Sequence, residues 1–143
     1  MTKDKIKNLL DFVPVIILTV YAIIMLWTVS TTDIVLQSEH YAGFTLLIIT
    51  VGLFIMRHKL GVLSLGLTLL LGVFKVLSYS AAITFYSFGG TINGHSSPDI
   101  KIQAVFLLWL LIHFIVSGRH YVGIATKSYW QDLFAKPIEI PND

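Results

Sequence analysis

The sequence predicts an all-α fold: a polytopic membrane protein built as an antiparallel four-helix transmembrane bundle, with a short C-terminal amphipathic helix at the membrane interface. Three observations predict it. Hydrophobic residues make up 55% of the 143 and charged residues only 13%, about half the roughly 25% of soluble domains, and mean hydropathy is +0.79. The apolar residues gather into four segments, Phe12 to Val29, Tyr41 to Met56, Gly61 to about Ser80 and Ile102 to Gly118. Each approaches the roughly 20 residues that cross about 30 Å of hydrocarbon. The cations segregate as well. With the N-terminus in the cytoplasm, Lys3, Lys5, Lys7, Arg57, Lys59, Arg119, Lys127 and Lys136 lie inside, Lys101 alone occupies an outer loop, and Lys75 stays within a span. That asymmetry in short loops orients the chain in an inner membrane with both termini cytoplasmic.

The elements follow in order within one membrane domain, 1–143. Three lysines precede the first helix, about 12–29, in the outline of a secretory signal. The apolar run is nevertheless longer than a signal's core of about 7–15 residues and ends near Trp27 without a small-residue cleavage site, so a retained helix is expected. Asp11, just before Phe12, Val13 and Pro14, reads as a helix start. The second helix is placed at 38–56, beginning upstream of Tyr41 because the apolar part alone is short for a bilayer. The link Arg57-His58-Lys59-Leu60 makes the second and third helices antiparallel neighbours.

The third helix is placed at 61–86. Ser64, Thr68, Gly72, Lys75, Tyr79 and Tyr86 recur on it at steps of three, four or seven and share a face. Small residues on such a stripe let another helix approach closely; the competing reading is a polar groove leading to Lys75. Gly89, Gly90 and Gly94 mark an outer loop, and Ser97-Pro98-Asp99 carries the cap, first-turn proline and acidic residue of a helix start. The fourth helix is accordingly placed at 99–118. In the cytoplasmic tail, 119–143, Tyr129, Trp130, Leu133 and Phe134 repeat at helical spacing beside Lys127 and Lys136, and Pro137 ends the pattern.

Lys75 is the leading candidate site residue, because an ionisable group inside an apolar span needs a counter-ion, a cavity or an interface. Aligning the charged cytoplasmic helix ends puts Lys75 near Gln103, about 22 Å from the inner interface at about 1.5 Å per residue. The same register places His113 beside Ser64 to Thr68. Asp33 and Glu39 are then possible ion-pair partners of Lys75, with Trp27 or Tyr79 flanking it. Alternatively, Lys75, Tyr79 and Gln103 bind an anionic ligand such as a carboxylate or phosphate. His113 shares a face with Trp109 and His120 and is expected to hydrogen-bond a neighbouring helix. His58 and His120 lie at cytoplasmic helix ends; they could ligate a haem, but without a ligand motif they read as interfacial polar residues.

No cysteine is present, which removes disulfides and thiolate chemistry. No metalloprotease, serine-hydrolase, phosphate-loop or dinucleotide pattern occurs, and no carboxylate pair lies within a span. The expectation is therefore a non-enzymatic interaction or accessory protein, such as a complex subunit, assembly factor or immunity-like protein. No cofactor or metal is expected. Its expected partners are the lipid bilayer and another membrane protein or a second copy. Nucleic acid is not expected, since the cations behind the net charge of +2 lie where anionic lipid would attract them. The alternatives are a small transporter, channel subunit or anion-binding protein using the Lys75 region, and, third, a haem or quinone electron carrier.

Overall fold

The computed structural model describes residues 9–33, 35–79, 85–88, 91–92, 95–96, 100–124 and 126–134. Among these the chain is mostly helical: α1 Val13–Thr31, α2 Ser38–Met56, α3 His58–Val73, α4 Ala104–Ser117 and α5 Lys127–Phe134, with a 3-10 turn at Gly118–His120. Two helices, α1 and α2, are long and apolar enough to cross a membrane. Four short strands interrupt the helical pattern, β1 Phe85–Phe88, β2 Thr91–Ile92, β3 His95–Ser96 and β4 Ile100–Gln103. They pair antiparallel, β1 with β4 and β2 with β3, so that Phe85 faces Gln103 and Ile92 faces His95.

The central element is α3. Gly61, Val62, Leu65, Gly66, Thr68, Leu69, Gly72 and Val73 are all buried along it, and it packs against both α2 and α4, while α1 packs against α2. Its glycines set the distances. A Cβ on Gly61 would fall 2.7 Å from the Phe54 Cα, so the α2–α3 corner closes only because that position has no side chain. Gly72 likewise lies under the Phe106 ring of α4. Thr50 on α2 hydrogen-bonds Ser64 at 2.8 Å and Thr68 at 3.3 Å, and Thr68 also donates to the Ser64 carbonyl. The Ser64, Thr68 and Gly72 stripe thus lies in packed contacts with α2 and α4.

The third and fourth helices differ from their sequence-predicted extents. α3 ends at Val73 instead of continuing to residue 86. Lys75 adopts a left-handed backbone, φ 57°, its N–H bonds to the Gly72 carbonyl, and the Val76 N–H bonds to the Leu71 carbonyl. These paired bonds form a Schellman motif that closes the helix, with lysine at the position where glycine is usual. Hydrophobicity alone carries no sign of that stop. At the other end, residues 100–103 are extended and α4 begins at Ala104, not near 99. Pairing with β1 gives the facing half of this backbone its hydrogen bonds in place of helical ones. The capping sequence 97–99, most of the glycine loop and Pro137 lie outside the described residues.

Candidate functional site

Among the described residues, the densest polar constellation lies where the first turn, the α2–α3 corner and the end of α4 meet. Asp11 occupies the turn before α1, closed by the Phe12 N–H to the Leu9 carbonyl at 3.2 Å. The Phe12 ring packs on Phe54 at 4.8 Å and on His58 at 5.4 Å, which seats this turn against the corner. One residue, Arg57, separates α2 from α3, so His58 opens α3 directly beside Asp11. From the far side, Ser117 ends α4, and Arg119 and His120 follow in the 3-10 turn. Tyr129 of α5 holds that turn by donating to the His120 carbonyl at 2.6 Å.

Asp11 is fully buried. Its Oδ1 accepts from Ser117 Oγ at 2.6 Å, and its Oδ2 accepts from Arg119 Nη2 at 3.0 Å. The same Oδ2 lies 2.9 Å from His58 Nε2 and 3.1 Å from His120 Nε2. Burial by itself opposes ionisation of Asp11; the hydrogen bonds of Ser117, His58 and Arg119, with the charge of His120, outweigh it and hold the carboxyl below its usual range. His120 is pushed down, chiefly by its own burial and also by the neighbouring charges of Arg119 and His58, against the opposing pull of Asp11.

His120 Nε2 has two partners that make incompatible demands. Arg119 Nε donates toward it at 3.2 Å, while Asp11 Oδ2, an acceptor, lies 3.1 Å away. A ring nitrogen either carries a proton or presents a lone pair, so only one of these contacts is a hydrogen bond at a time. The His58 and His120 rings meet edge to face at 5.5 Å. Their Nε2 atoms and an Asp11 carboxylate oxygen lie within 4.8 Å of one another, the donor set of a metal site. An open groove of about 400 Å³, lined by Leu10, Ile115, Val116 and Arg119, adjoins the cluster.

The sequence-predicted candidates are distributed elsewhere. Lys75 Nζ lies 3.9 Å from Glu39 Oε2, and Asp33 is exposed. Tyr79 is buried and donates to the Gly43 carbonyl at 2.7 Å. Gln103 is buried and donates to the Leu77 carbonyl at 3.4 Å, with its Oε1 unpaired. Trp109 packs at the margin of the core. His113 lies beside Gly66, the level given by aligning the charged helix ends, and its Nε2 is 2.7 Å from the Tyr121 hydroxyl. That hydroxyl donates to the Val62 carbonyl at 3.1 Å, so His113 Nε2 is the donor in the other bond, and its buried Nδ1 keeps an unpaired lone pair.

Lys75, Tyr79, Gln103 and His113 each meet a partner of their own. The fold instead joins Asp11, His58, Ser117, Arg119 and His120, of which the sequence flagged His58 and His120 as potential ligands and Asp11 only as a helix start. The available signal was topological: an antiparallel chain with short links returns all five to the same end. No protein-family model, curated protein or solved structure matches this chain.

Proposed function

We propose that this chain is a four-span protein of the cytoplasmic membrane, with both termini on the cytoplasmic side, that acts by binding another membrane-embedded protein. The observation that carries the reading is a contrast between surface and interior. Ile16, Ile23, Trp27, Ile48, Ile55 and Ile115 are exposed on α1, α2 and α4, an apolar surface that needs lipid or a partner chain against it. Among the described residues the interior is chiefly apolar: Leu18, Met25, Val62, Leu65 and Leu69 are buried there, and Thr50, Ser64 and Thr68 use their hydroxyls on one another.

Two features support four crossings. The cation asymmetry assigns the Arg57–Lys59 corner and the segment after α4 to one side. Although α3, with 16 residues, rises only about 24 Å, the β1–β4 ribbon that leads into α4 packs against α3 and adds length to the apolar helices on that side. Polar groups on the long helices are also satisfied within the chain: Thr19 donates to the Val15 carbonyl and Thr28 to the Ile24 carbonyl.

The test is copurification from native membranes after mild detergent extraction. A stoichiometric membrane partner, retained by the native chain and lost when bulky polar residues replace Ile48 and Ile55, supports the proposal. A monodisperse, partnerless protein that moves a solute into liposomes overturns it.

A further inference from the structure

We propose that Asp11, His58 and His120 form a binding site for one divalent transition-metal ion of the zinc class. Two imidazole nitrogens and one carboxylate oxygen suit borderline ions such as Zn²⁺, Co²⁺ or Fe²⁺ far better than Mg²⁺ or Ca²⁺, which prefer oxygen ligands. This inference goes beyond the partner-binding reading and does not depend on it.

The geometry is close to what such an ion needs. With metal–ligand bonds of about 2.0–2.2 Å, neighbouring ligand atoms around a tetrahedral ion stand about 3.3 Å apart. His58 Nε2 and His120 Nε2 lie 2.9 Å and 3.1 Å from Asp11 Oδ2, and all three donor atoms lie within 4.8 Å of one another. The ligands come from three separate elements: the Phe12, Phe54 and His58 ring contacts join the first turn to the α2–α3 corner, and the His58–His120 ring contact joins that corner to the 3-10 turn. Ser117, bonded to Asp11 Oδ1 at 2.6 Å, leaves Oδ2 pointing at the imidazoles. Such an outer hydrogen bond orients a ligating carboxylate.

The conflict at His120 Nε2 has the same resolution. A lone pair on this nitrogen faces a carboxylate oxygen unfavourably, and a proton on it opposes the Arg119 N–H. A metal ion between His120 and Asp11 would use the lone pair and neutralise the carboxylate together. Arg119 is the competitor, since its guanidinium now supplies the positive charge at Asp11 Oδ2. Its side chain is about a third exposed and borders the groove formed with Leu10, Ile115 and Val116, so it has room to withdraw. With three protein ligands, the ion keeps at least one position open for water or another exchangeable ligand.

The test uses the full chain purified in detergent without a polyhistidine tag, stripped with chelator, then titrated with Zn²⁺ by calorimetry and with Co²⁺ by visible absorption. The expected result is one ion per chain and the intense ligand-field bands of low-coordinate cobalt. S117A weakens binding about tenfold, H58Q and H120Q weaken it further, and R119Q strengthens it by removing the competing cation. Circular dichroism checks that each variant is folded. Should H58Q or H120Q fail to fold, the native spectrum and the R119Q gain decide the matter. Native protein without stoichiometric binding, binding unchanged in folded H58Q and H120Q, or no gain with R119Q overturns the proposal. Metal binding without a copurifying protein leaves this site standing, and a partner without metal leaves the membrane reading standing.

Discussion

Asp11 is an ion whose stability is borrowed from four neighbours on other parts of the chain. Replacing it with alanine leaves Arg119 and two imidazoles without their acceptor. D11A is expected to lose about 3 kcal/mol, the lower end for breaking a buried pair, because Arg119 is still a third exposed and screened. Unfolding followed by circular dichroism in detergent measures it. The pH dependence has a definite sign. Asp11 and His120 both have folded values below their unfolded values of 3.8 and 6.5. Each therefore contributes stability that is full above its unfolded value and declines as pH falls through the folded one. With chelator present, the unfolding midpoint should hold steady above about pH 7 and fall in two stages on acidification; H120Q should shrink the upper stage. Lys75 permits a cleaner test of backbone strain. K75A and K75G both remove the ammonium near Glu39, but only glycine adopts φ 57° freely. K75G should exceed K75A in stability by about 1 kcal/mol, and equal midpoints would sink the left-handed assignment. The sequence marked Lys75 as unusual because of its charge; that it closes a helix depends on a backbone conformation which residue type does not reveal.

The helices themselves were largely legible. α2 occupies the predicted 38–56, and α1 lies within two residues of its expected boundaries, because long apolar runs and flanking charges report both type and extent. The stop of α3 and the β1–β4 pairing were not. Phe85 pairs with Gln103 across a long sequence separation, and strand pairing is a property of two segments while periodicity is read from one. Glycine contacts provide a matched test of helix packing. Nothing lies within 4 Å of a Cβ placed on Gly52, whereas Gly61 abuts the Phe54 backbone. G52A should stabilise by about 0.5–1 kcal/mol through helix propensity. G61A should destabilise by about 1–3 kcal/mol, since the α2–α3 corner must open. The same unfolding assay ranks both, and a stable G61A would mean that this corner is looser than described.

For the molecule as a whole, the absence of cysteine allows topology to be mapped by single substitutions. Cysteines at Lys59 and Lys127 should resist a membrane-impermeant maleimide added outside intact cells, while one at Asp33 should react. Labelling of Lys59 and Asp33 variants from the same side would exclude the proposed crossing by α2. The sequence by itself determined the helical class, the apolar character and the level of His113 beside Gly66, because hydrophobic content and helical rise are sums along the chain. Only the tertiary structure decided that Asp11, His58, Ser117, Arg119 and His120 meet in one cluster, while Lys75, Tyr79, Gln103 and His113 have other partners. Directional contacts of about 3 Å depend on how separate elements rotate and pack, and the same hydrophobic pattern is compatible with many such arrangements.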